Sequence, residues 1–147
     1  GQPLILKTGV FLSTTGLIVV SDNVYARNSA FFYNRGYEKY VKGDYYGAIS
    51  DYTKAIEIDP KDSGAYYNRA IVKHDLEDYY GAISDYTKAI EIDPNYALAY
   101  SNLAVTKGEG FEDDVGACSD IKKAASLGDK YRIDWLETSE GKWCKDM

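Results

Sequence analysis

Histidine, cysteine and methionine are scarce in this sequence, which limits the chemistry open to it. The 147 residues include one histidine, two cysteines and one methionine. Zinc sites, redox clusters and histidine-based acid–base catalysis draw on several such side chains. The sequence also lacks a glycine-rich phosphate loop and the GxSxG and HExxH motifs. We therefore expect a protein that is not an enzyme and that uses no cofactor or metal.

Two features that could still suggest catalysis or metal binding have simpler interpretations. His74 is followed by Asp75 and Glu77 near a predicted helix end, where we expect it to face solvent in a groove rather than act as a general base. The acidic stretch 109–114 lacks the alternating oxygen ligands of a calcium loop. We interpret it as a solvated loop.

Basic residues are outnumbered as well. The chain has 17 basic and 23 acidic residues, a net charge of −6 and an isoelectric point near 4.8. Phosphate backbones and anionic lipid surfaces attract positive charge, and the apolar runs are too short to cross a bilayer. We therefore expect no nucleic-acid partner and no stable membrane span.

Tyrosine, by contrast, is abundant, and much of it lies in an internal repeat. The chain holds 15 tyrosines and is 45% hydrophobic, which suffices for one folded domain. Residues 44–60 read DYYGAISDYTKAIEIDP, and residues 78–94 read the same letters. Residues 32–36, 66–70 and 100–104 also correspond, so the pattern occurs three times. Each copy has two apolar-periodic stretches separated by a short polar turn, which predicts a helical hairpin.

A helix–turn–helix of 34 residues with this pattern resembles the tetratricopeptide repeat (TPR) family. Large residues recur at 32, 66 and 100, small residues at 36, 70 and 104, and alanines at 48, 55, 82 and 89, as close helix packing requires. The resemblance implies an all-α, right-handed solenoid of three TPR hairpins plus a C-terminal capping helix. The repeats are assigned to residues 29–62, 63–96 and 97–129.

The pattern departs from the family in two places, and a further segment follows it. Repeat 3 carries one inserted residue between 108 and 115, which predicts a longer or bulged loop. Arg35 and Arg69 stand where the family usually has leucine; we expect each guanidinium to reach a neighbouring carboxylate, with ligand anchoring as the alternative. Residues 130–147 are assigned to a capping helix and tail, with Ile133, Trp135 and Leu136 on the face that shields the last repeat.

Residues 1–26 differ in composition from the repeats and resemble a secretory signal peptide. Lys7 precedes an apolar run within residues 10–20, and Val24 and Ala26 have the spacing of a cleavage site. The alternative is an apolar helix or strand packed on the repeats. Export places the mature protein in a periplasm or lumen. An even number of cysteines in such a chain favours a Cys118–Cys144 disulfide, and two unpaired thiols are the alternative.

The TPR resemblance implies that ligands lie in a concave groove lined by the first helix of each hairpin. Asparagine recurs there at steps of 34 residues, and a row of amides can pair with a peptide backbone of any sequence. Tyrosine adds rigid contact area; the alternative is that these asparagines and tyrosines serve packing. The predicted partner-binding residues are Tyr33, Asn34, Tyr37 and Tyr40 in repeat 1, Tyr67, Asn68, Ile71 and His74 in repeat 2, and Leu98, Ser101, Asn102 and Val105 in repeat 3.

These observations predict a non-catalytic module that binds a peptide or partner-protein segment in the Tyr/Asn-lined groove, as a scaffold or assembly factor. Some TPR domains hold chaperone tails with a basic clamp, but Tyr33 and Leu98 stand where that clamp has lysine. The alternative function is self-assembly, in which the N-terminal segment or the repeats associate between chains. Residues 116–129 resemble small exported TPR proteins of photosynthetic bacteria, which favours assembly work.

Overall fold

The computed structural model describes residues 4–5, 10–13, 16–19 and 23–147, with side chains from residue 28 onward. Near the N-terminus three short strands, β1 (Leu4–Ile5), β2 (Val10–Ser13) and β3 (Gly16–Val19), form an antiparallel sheet in the order β1-β2-β3. Val10 lies opposite Val19. The all-α prediction did not include these strands. Residues 1–3, 6–9, 14–15 and 20–22 of the predicted signal peptide, residues 1–26, lie outside the described residues.

Eight helices make up the described part of the chain from residue 23 to the C-terminus. The first helix of each hairpin packs on the second, and successive hairpins meet through the second helix of one and the first of the next. The predicted solenoid of three hairpins is confirmed. The helices are α1 (Asn23–Val41), α2 (Tyr45–Ile58), α3 (Ser63–Asp75), α4 (Tyr79–Ile92), α5 (Ala97–Phe111), α6 (Asp114–Ser126), α7 (Lys130–Leu136) and α8 (Lys142–Asp146).

Helix α1 begins earlier than the first assigned repeat. It starts at Asn23, whereas repeat 1 was assigned from residue 29. The cleavage point expected after Ala26 therefore falls inside a helix in this structure.

An aspartate caps the second helix of every hairpin. The side chains of Asp44, Asp78 and Asp113 accept hydrogen bonds from the backbone N–H three residues later, at 2.9–3.0 Å. The residue at that third position is glycine each time, and an added Cβ would collide with the capping carboxylate. The repeated Asp-x-x-Gly pattern thus marks the start of a helix, and the aspartate cap requires glycine at the third position because glycine has no side chain.

The core pairs small residues with large ones, as the repeat pattern predicted. The four alanines at 48, 55, 82 and 89 are fully buried, and they let neighbouring helices approach closely. Tyr52 and Tyr86 fill the space between the two helices of their hairpins. An added Cβ at Gly36 would lie 3.0 Å from the Tyr52 ring, which explains the small residue at that position.

A buried aspartate in each of the first two hairpins binds an arginine and a lysine. Arg35 donates two hydrogen bonds of 2.6 Å to Asp51, and Lys39 Nζ lies 2.9 Å from the same carboxylate. Arg69, Lys73 and Asp85 repeat this arrangement in the second hairpin. The predicted contact of each arginine with a neighbouring carboxylate is confirmed. It joins the two helices of a single hairpin.

The third hairpin keeps only half of this arrangement. Leu103 replaces the arginine and is buried, so Lys107 alone pairs with Asp120, at 2.6 Å. Hydrogen bonds from Arg35 hold the pKa of Asp51 at about 2, whereas burial raises the pKa of Asp120 above its usual value despite the lysine.

The inserted residue of repeat 3 lengthens helix α5 and not the loop after it. Helix α5 has 15 residues against 13 in α3, and Glu112, the residue that follows it, has a left-handed φ of 52°. Only residues 112 and 113 then separate α5 from α6. The prediction of a longer loop is wrong, because extending the helix satisfies backbone hydrogen bonds that a loop would leave open. Much of the acidic stretch 109–114 is therefore helical.

The C-terminal cap is the seven-residue helix α7, and a second short helix, α8, follows it. Trp135 and Leu136 of α7 pack against Ala104, Ala117 and Ile121, as expected for a cap. Ile133 is 42% exposed, so its assignment to the packed face is wrong. The buried residue that the sequence argument missed on α7 is Arg132.

A disulfide ties the last helix to the third hairpin. Cys118 lies in the first turns of α6 and Cys144 in α8, both are buried, and their Cα atoms are 5.5 Å apart in the bonded pair. The structure therefore contains the pairing that the two cysteines suggested. The bond attaches α8, a helix of five residues, to the solenoid.

Candidate functional site

The concave face is formed by the first helices of the hairpins, which lie side by side. Helix α3 contacts both α1 and α5 across this face. Side chains at corresponding positions of the three helices therefore line one continuous groove. The predicted partner-binding residues all belong to these helices, but the structure gives them different environments.

Two of the three predicted asparagines bind a tyrosine of the preceding repeat. Nδ2 of Asn68 donates a hydrogen bond of 2.7 Å to the Tyr33 hydroxyl, and Nδ2 of Asn102 donates one of 3.0 Å to the Tyr67 hydroxyl. Asn34 belongs to the first repeat and is exposed. Asn68 and Asn102 thus join successive repeats. This packing role is the one that the sequence analysis gave as the alternative to partner binding. No described residue donates a hydrogen bond to the Oδ1 atoms of Asn68 and Asn102, so both atoms remain free to accept one.

Aromatic rings pack against one another around these tyrosines. Tyr67 lies 4.8 Å from Tyr96 and 5.9 Å from Tyr86, measured between ring centroids, and Tyr33 lies 5.8 Å from Tyr52. Burial raises the pKa of the Tyr67 and Tyr96 hydroxyls, so both stay protonated at physiological pH. The sequence argument missed Tyr96, which precedes α5 and lies outside the helical positions that the family pattern assigns to the groove.

A cavity of about 210 Å³ opens in the middle of the groove. Four predicted partner-binding residues line it: Ile71, His74, Asn102 and Val105. Asp75 and Tyr86 complete the wall. The cavity combines two aliphatic side chains with an amide, an imidazole and a carboxylate, which suits a peptide side chain better than a large cofactor.

His74 is held by the neighbouring helix rather than freely exposed. Its Nδ1 lies 3.0 Å from the Thr106 hydroxyl and its Nε2 lies 3.3 Å from a Glu109 carboxylate oxygen. The Tyr79 ring contacts the imidazole edge-on. Both ring nitrogens are thereby engaged, so His74 positions α3 against α5, and the expectation of a solvent-facing histidine is corrected.

The other predicted tyrosines of repeat 1 differ in their contacts. The Tyr40 hydroxyl donates a hydrogen bond of 2.9 Å to Asp75, and burial together with this bond raises the pKa of Tyr40 to about 12. Tyr37 is exposed on the groove surface, and so is Leu98 at the other end. Tyr37 and Leu98 are therefore available to contact a partner without disturbing the repeats.

Ser101 is the predicted site residue that the structure removes from the groove. It is buried, and Arg132 donates hydrogen bonds of 2.6 Å to its hydroxyl and 3.1 Å to its carbonyl oxygen. The capping helix α7 covers the end of the array at this point. The prediction of Ser101 as a contact residue is therefore corrected, because it holds the cap.

The fold and its groove define a helical-repeat solenoid, and comparison with known families specifies the repeat. A tetratricopeptide repeat profile matches residues 63–96, a TPR repeat profile matches 36–77, and a further tetratricopeptide repeat profile matches 85–110. Residues 36–110 of this chain therefore consist of tetratricopeptide repeats. A comparison with curated protein sequences gave no match.

Solved TPR domains share the fold. The first TPR of Spaghetti (RPAP3), bound to an HSP90 peptide, has a TM-score of 0.71 at 21% identity, over 82% of this chain and 93% of that one. The Arabidopsis OM64 TPR domain gives 0.69 at 23% identity, covering 83% and 94%. The TPR2B domain of yeast Sti1, in a complex with pHsp70, gives 0.64 at 26% identity, covering 84% and 92%.

Among the described residues, no helix combines the length and apolar character that crossing a bilayer needs.

Proposed function

We propose that this protein is a non-catalytic interaction module that binds a peptide or partner-protein segment in its concave groove. The observation that carries the proposal is the central cavity, where Ile71, Asn102 and Val105 meet between two repeats. A side chain of a bound segment can enter it while the Oδ1 atoms of Asn68 and Asn102 accept hydrogen bonds from backbone N–H groups. Peptide binding by the similar TPR domains supports the same use of the fold.

The groove differs from a clamp for acidic tails. Tyr33 and Leu98 occupy positions where such clamps carry lysine, and Tyr33 already accepts the amide of Asn68. Asp75 lies in the cavity wall and Asp62 beside Tyr33. The ligand is therefore a segment with apolar or aromatic side chains and no cluster of carboxylates, since like charges repel.

Selection from a library tests this function without knowledge of the natural partner. Random dodecapeptides displayed on phage are selected on the full chain, and an enriched peptide is measured by fluorescence anisotropy. Replacing exposed groove residues in a Tyr37→Ala, Leu98→Ala double variant should weaken binding about tenfold. Tyr46→Ala, an exposed tyrosine outside the groove, is the matched control and should change affinity less than twofold.

Two results would contradict the proposal. One is an enriched peptide whose affinity the groove variant leaves unchanged. The other is a selection that yields no peptide specific to this chain. Sedimentation velocity of the free chain at several concentrations separates self-assembly from peptide binding, because a concentration-dependent mass would support association between copies.

The proposal extends to an exported scaffold or assembly factor in a periplasm or lumen, similar to small TPR proteins of photosynthetic bacteria. The Cys118–Cys144 bond is compatible with an oxidising compartment, and residues 116–129 carry the likeness. Fusing residues 1–26 to a reporter that is active only after export tests the localisation. A reporter that stays inactive in a bacterial host contradicts it.

A further inference from the structure

We propose that a second surface, the edge formed by the three hairpin turns, docks a lysine- or arginine-rich segment of a partner protein. This turn edge comprises residues 41–46, 76–80 and 110–115. Each segment covers the turn of one hairpin and the helix ends beside it. The turn edge shares no residue with the central cavity of the groove, so its role is independent of the peptide site proposed above.

The three turns form one continuous surface. Leu76 and Tyr45 both pack against the cluster of Ala48, Tyr52 and Val72, which joins the second turn to the first hairpin. The rings of Tyr80 and Phe111 lie 4.6 Å apart, edge to face, which joins the second turn to the third. A partner can therefore contact all three repeats along a single line.

Large apolar side chains stand out from this edge. Tyr46 is 78% exposed, Tyr80 is 80% exposed, and Val115 is 68% exposed. Tyr46 and Tyr80 are the second residues of equivalent helices, so the repeat places an exposed ring at the same point twice. Exposed rings add little to folding, and an aligned set of them is typical of a docking surface.

Charge determines which partner fits. The turn edge carries six acidic residues and one lysine, whereas the rest of the chain is nearly balanced, with 17 acidic and 16 basic residues. All six carboxylates are exposed. Within the part of the chain that the structure describes, no lysine or arginine pairs with any of them. The six are Asp44, Glu77, Asp78, Glu112, Asp113 and Asp114.

A cationic segment can bind both the carboxylates and the exposed aromatic rings of the turn edge. Lysine and arginine pair with carboxylates and also stack on aromatic rings, where the ring face attracts the cation. A second copy of this chain or an anionic membrane would bring like charge to the same surface, which costs binding energy. The turn edge therefore selects basic protein segments.

Binding of decalysine, with decaglutamate as the charge-reversed control, tests the proposal on the full chain. Fluorescence anisotropy should detect decalysine but not decaglutamate, and the affinity should fall as salt is raised. Glu77→Gln with Glu112→Gln should weaken decalysine binding about fivefold. The matched control, Glu57→Gln with Glu140→Gln, removes the same charge from exposed sites off the edge and should change affinity less than twofold.

The aromatic contribution is tested separately. Tyr46→Ser with Tyr80→Ser should weaken decalysine binding about fivefold, while Tyr37→Ala in the groove should leave it unchanged. The proposal is overturned if the edge and control charge variants bind decalysine equally. It is also overturned if the Tyr46 and Tyr80 changes leave the affinity for decalysine unchanged. A third contradicting result is a dimer, seen by sedimentation, that these changes abolish, because the turn edge would then join copies of this chain.

Discussion

At the scale of single residues, the hydrogen bond between tyrosine and asparagine is a contact that recurs at both junctions between repeats. Each bond joins residues 35 positions apart, one repeat plus one residue. Since the same pair occurs at both junctions between repeats, each hairpin is placed on the next by the same contact. The Asn68 and Asn102 side chains are thereby held in fixed orientations at the groove surface.

Removing one of these hydroxyls should destabilise the array. Tyr67→Phe leaves the part-buried Asn102 amide without its acceptor, which costs about 1 kcal/mol of the free energy of unfolding. Urea denaturation followed by circular dichroism measures the change. Tyr100→Phe is the control, because the Tyr100 hydroxyl makes no hydrogen bond in the described part of the chain, and it should change stability by less than about 0.5 kcal/mol.

Glycine at the third position of a capped helix is a second residue-scale requirement. Gly81→Ala places a methyl group against the Asp78 carboxylate, so the cap is lost and stability falls by about 1 kcal/mol. Gly108→Ala should do the opposite, because space is open around Gly108 in α5 and alanine favours helix by roughly 0.5–1 kcal/mol. Thermal unfolding of the two variants should therefore shift in opposite directions; a shift in the same direction would contradict the account.

At the scale of helices and hairpins, the repeat made most elements predictable. Positions that carry a small residue opposite tyrosine, such as Gly36 against Tyr52 and Ala70 against Tyr86, specify both the helices and their packing. The structure around the inserted residue of repeat 3 and the short length of the cap were not predictable, because a helix can gain or lose one or two residues at its end without changing any pattern that periodicity detects. Strands near the N-terminus were considered only as part of the alternative to a signal peptide, since a short apolar run fits several structures.

The buried aspartate of the first hairpin should make stability depend on pH. Its pKa of about 2 in the folded chain lies below the usual value near 3.8, so the stabilisation is complete above about pH 5 and is lost as the pH falls towards 2. Asp51→Asn should lower the free energy of unfolding at pH 7 by about 1 kcal/mol, allowing for solvent screening at Arg35.

Urea titrations between pH 7 and pH 2.5 measure this dependence. The difference between the native chain and Asp51→Asn should shrink as the pH falls. Asp120→Asn is a control for which the opposite pH dependence is expected. Because burial raises the pKa of Asp120, the native chain should become more stable relative to that variant as the pH falls towards 4. Parallel curves for all three chains would contradict the assignment of these shifts.

At the scale of the whole molecule, the solenoid is closed at its C-terminal end by side chains that sequence reasoning did not connect. Arg132 covers Ser101, and the disulfide holds α8 against α6. The predicted site residues all lie on the first helices of the hairpins because the family pattern assigns their positions. The burial of Ser101 away from the groove was not predictable, since it depends on a helix that follows the last repeat.

Reducing the disulfide should weaken this closed end. The bond spans 26 residues, which corresponds to about 3 kcal/mol of stabilisation in the chain-entropy account. The melting temperature of the native chain should fall when a reductant is added. A Cys118→Ala, Cys144→Ala variant should melt at the lower temperature with or without reductant, and a reductant-dependent melting temperature in that variant would show that the effect has another origin.

The central claim is that the concave groove is where a partner segment binds. Chemical-shift mapping of the full chain by NMR, with a peptide enriched by the library selection, tests it most directly. The account predicts that the largest amide and side-chain shifts fall on α1, α3 and α5, at Tyr37, Asn68, Asn102 and Val105, with little change on α2, α4 and α6. Shifts concentrated on the second helices or on the turn edge would contradict it.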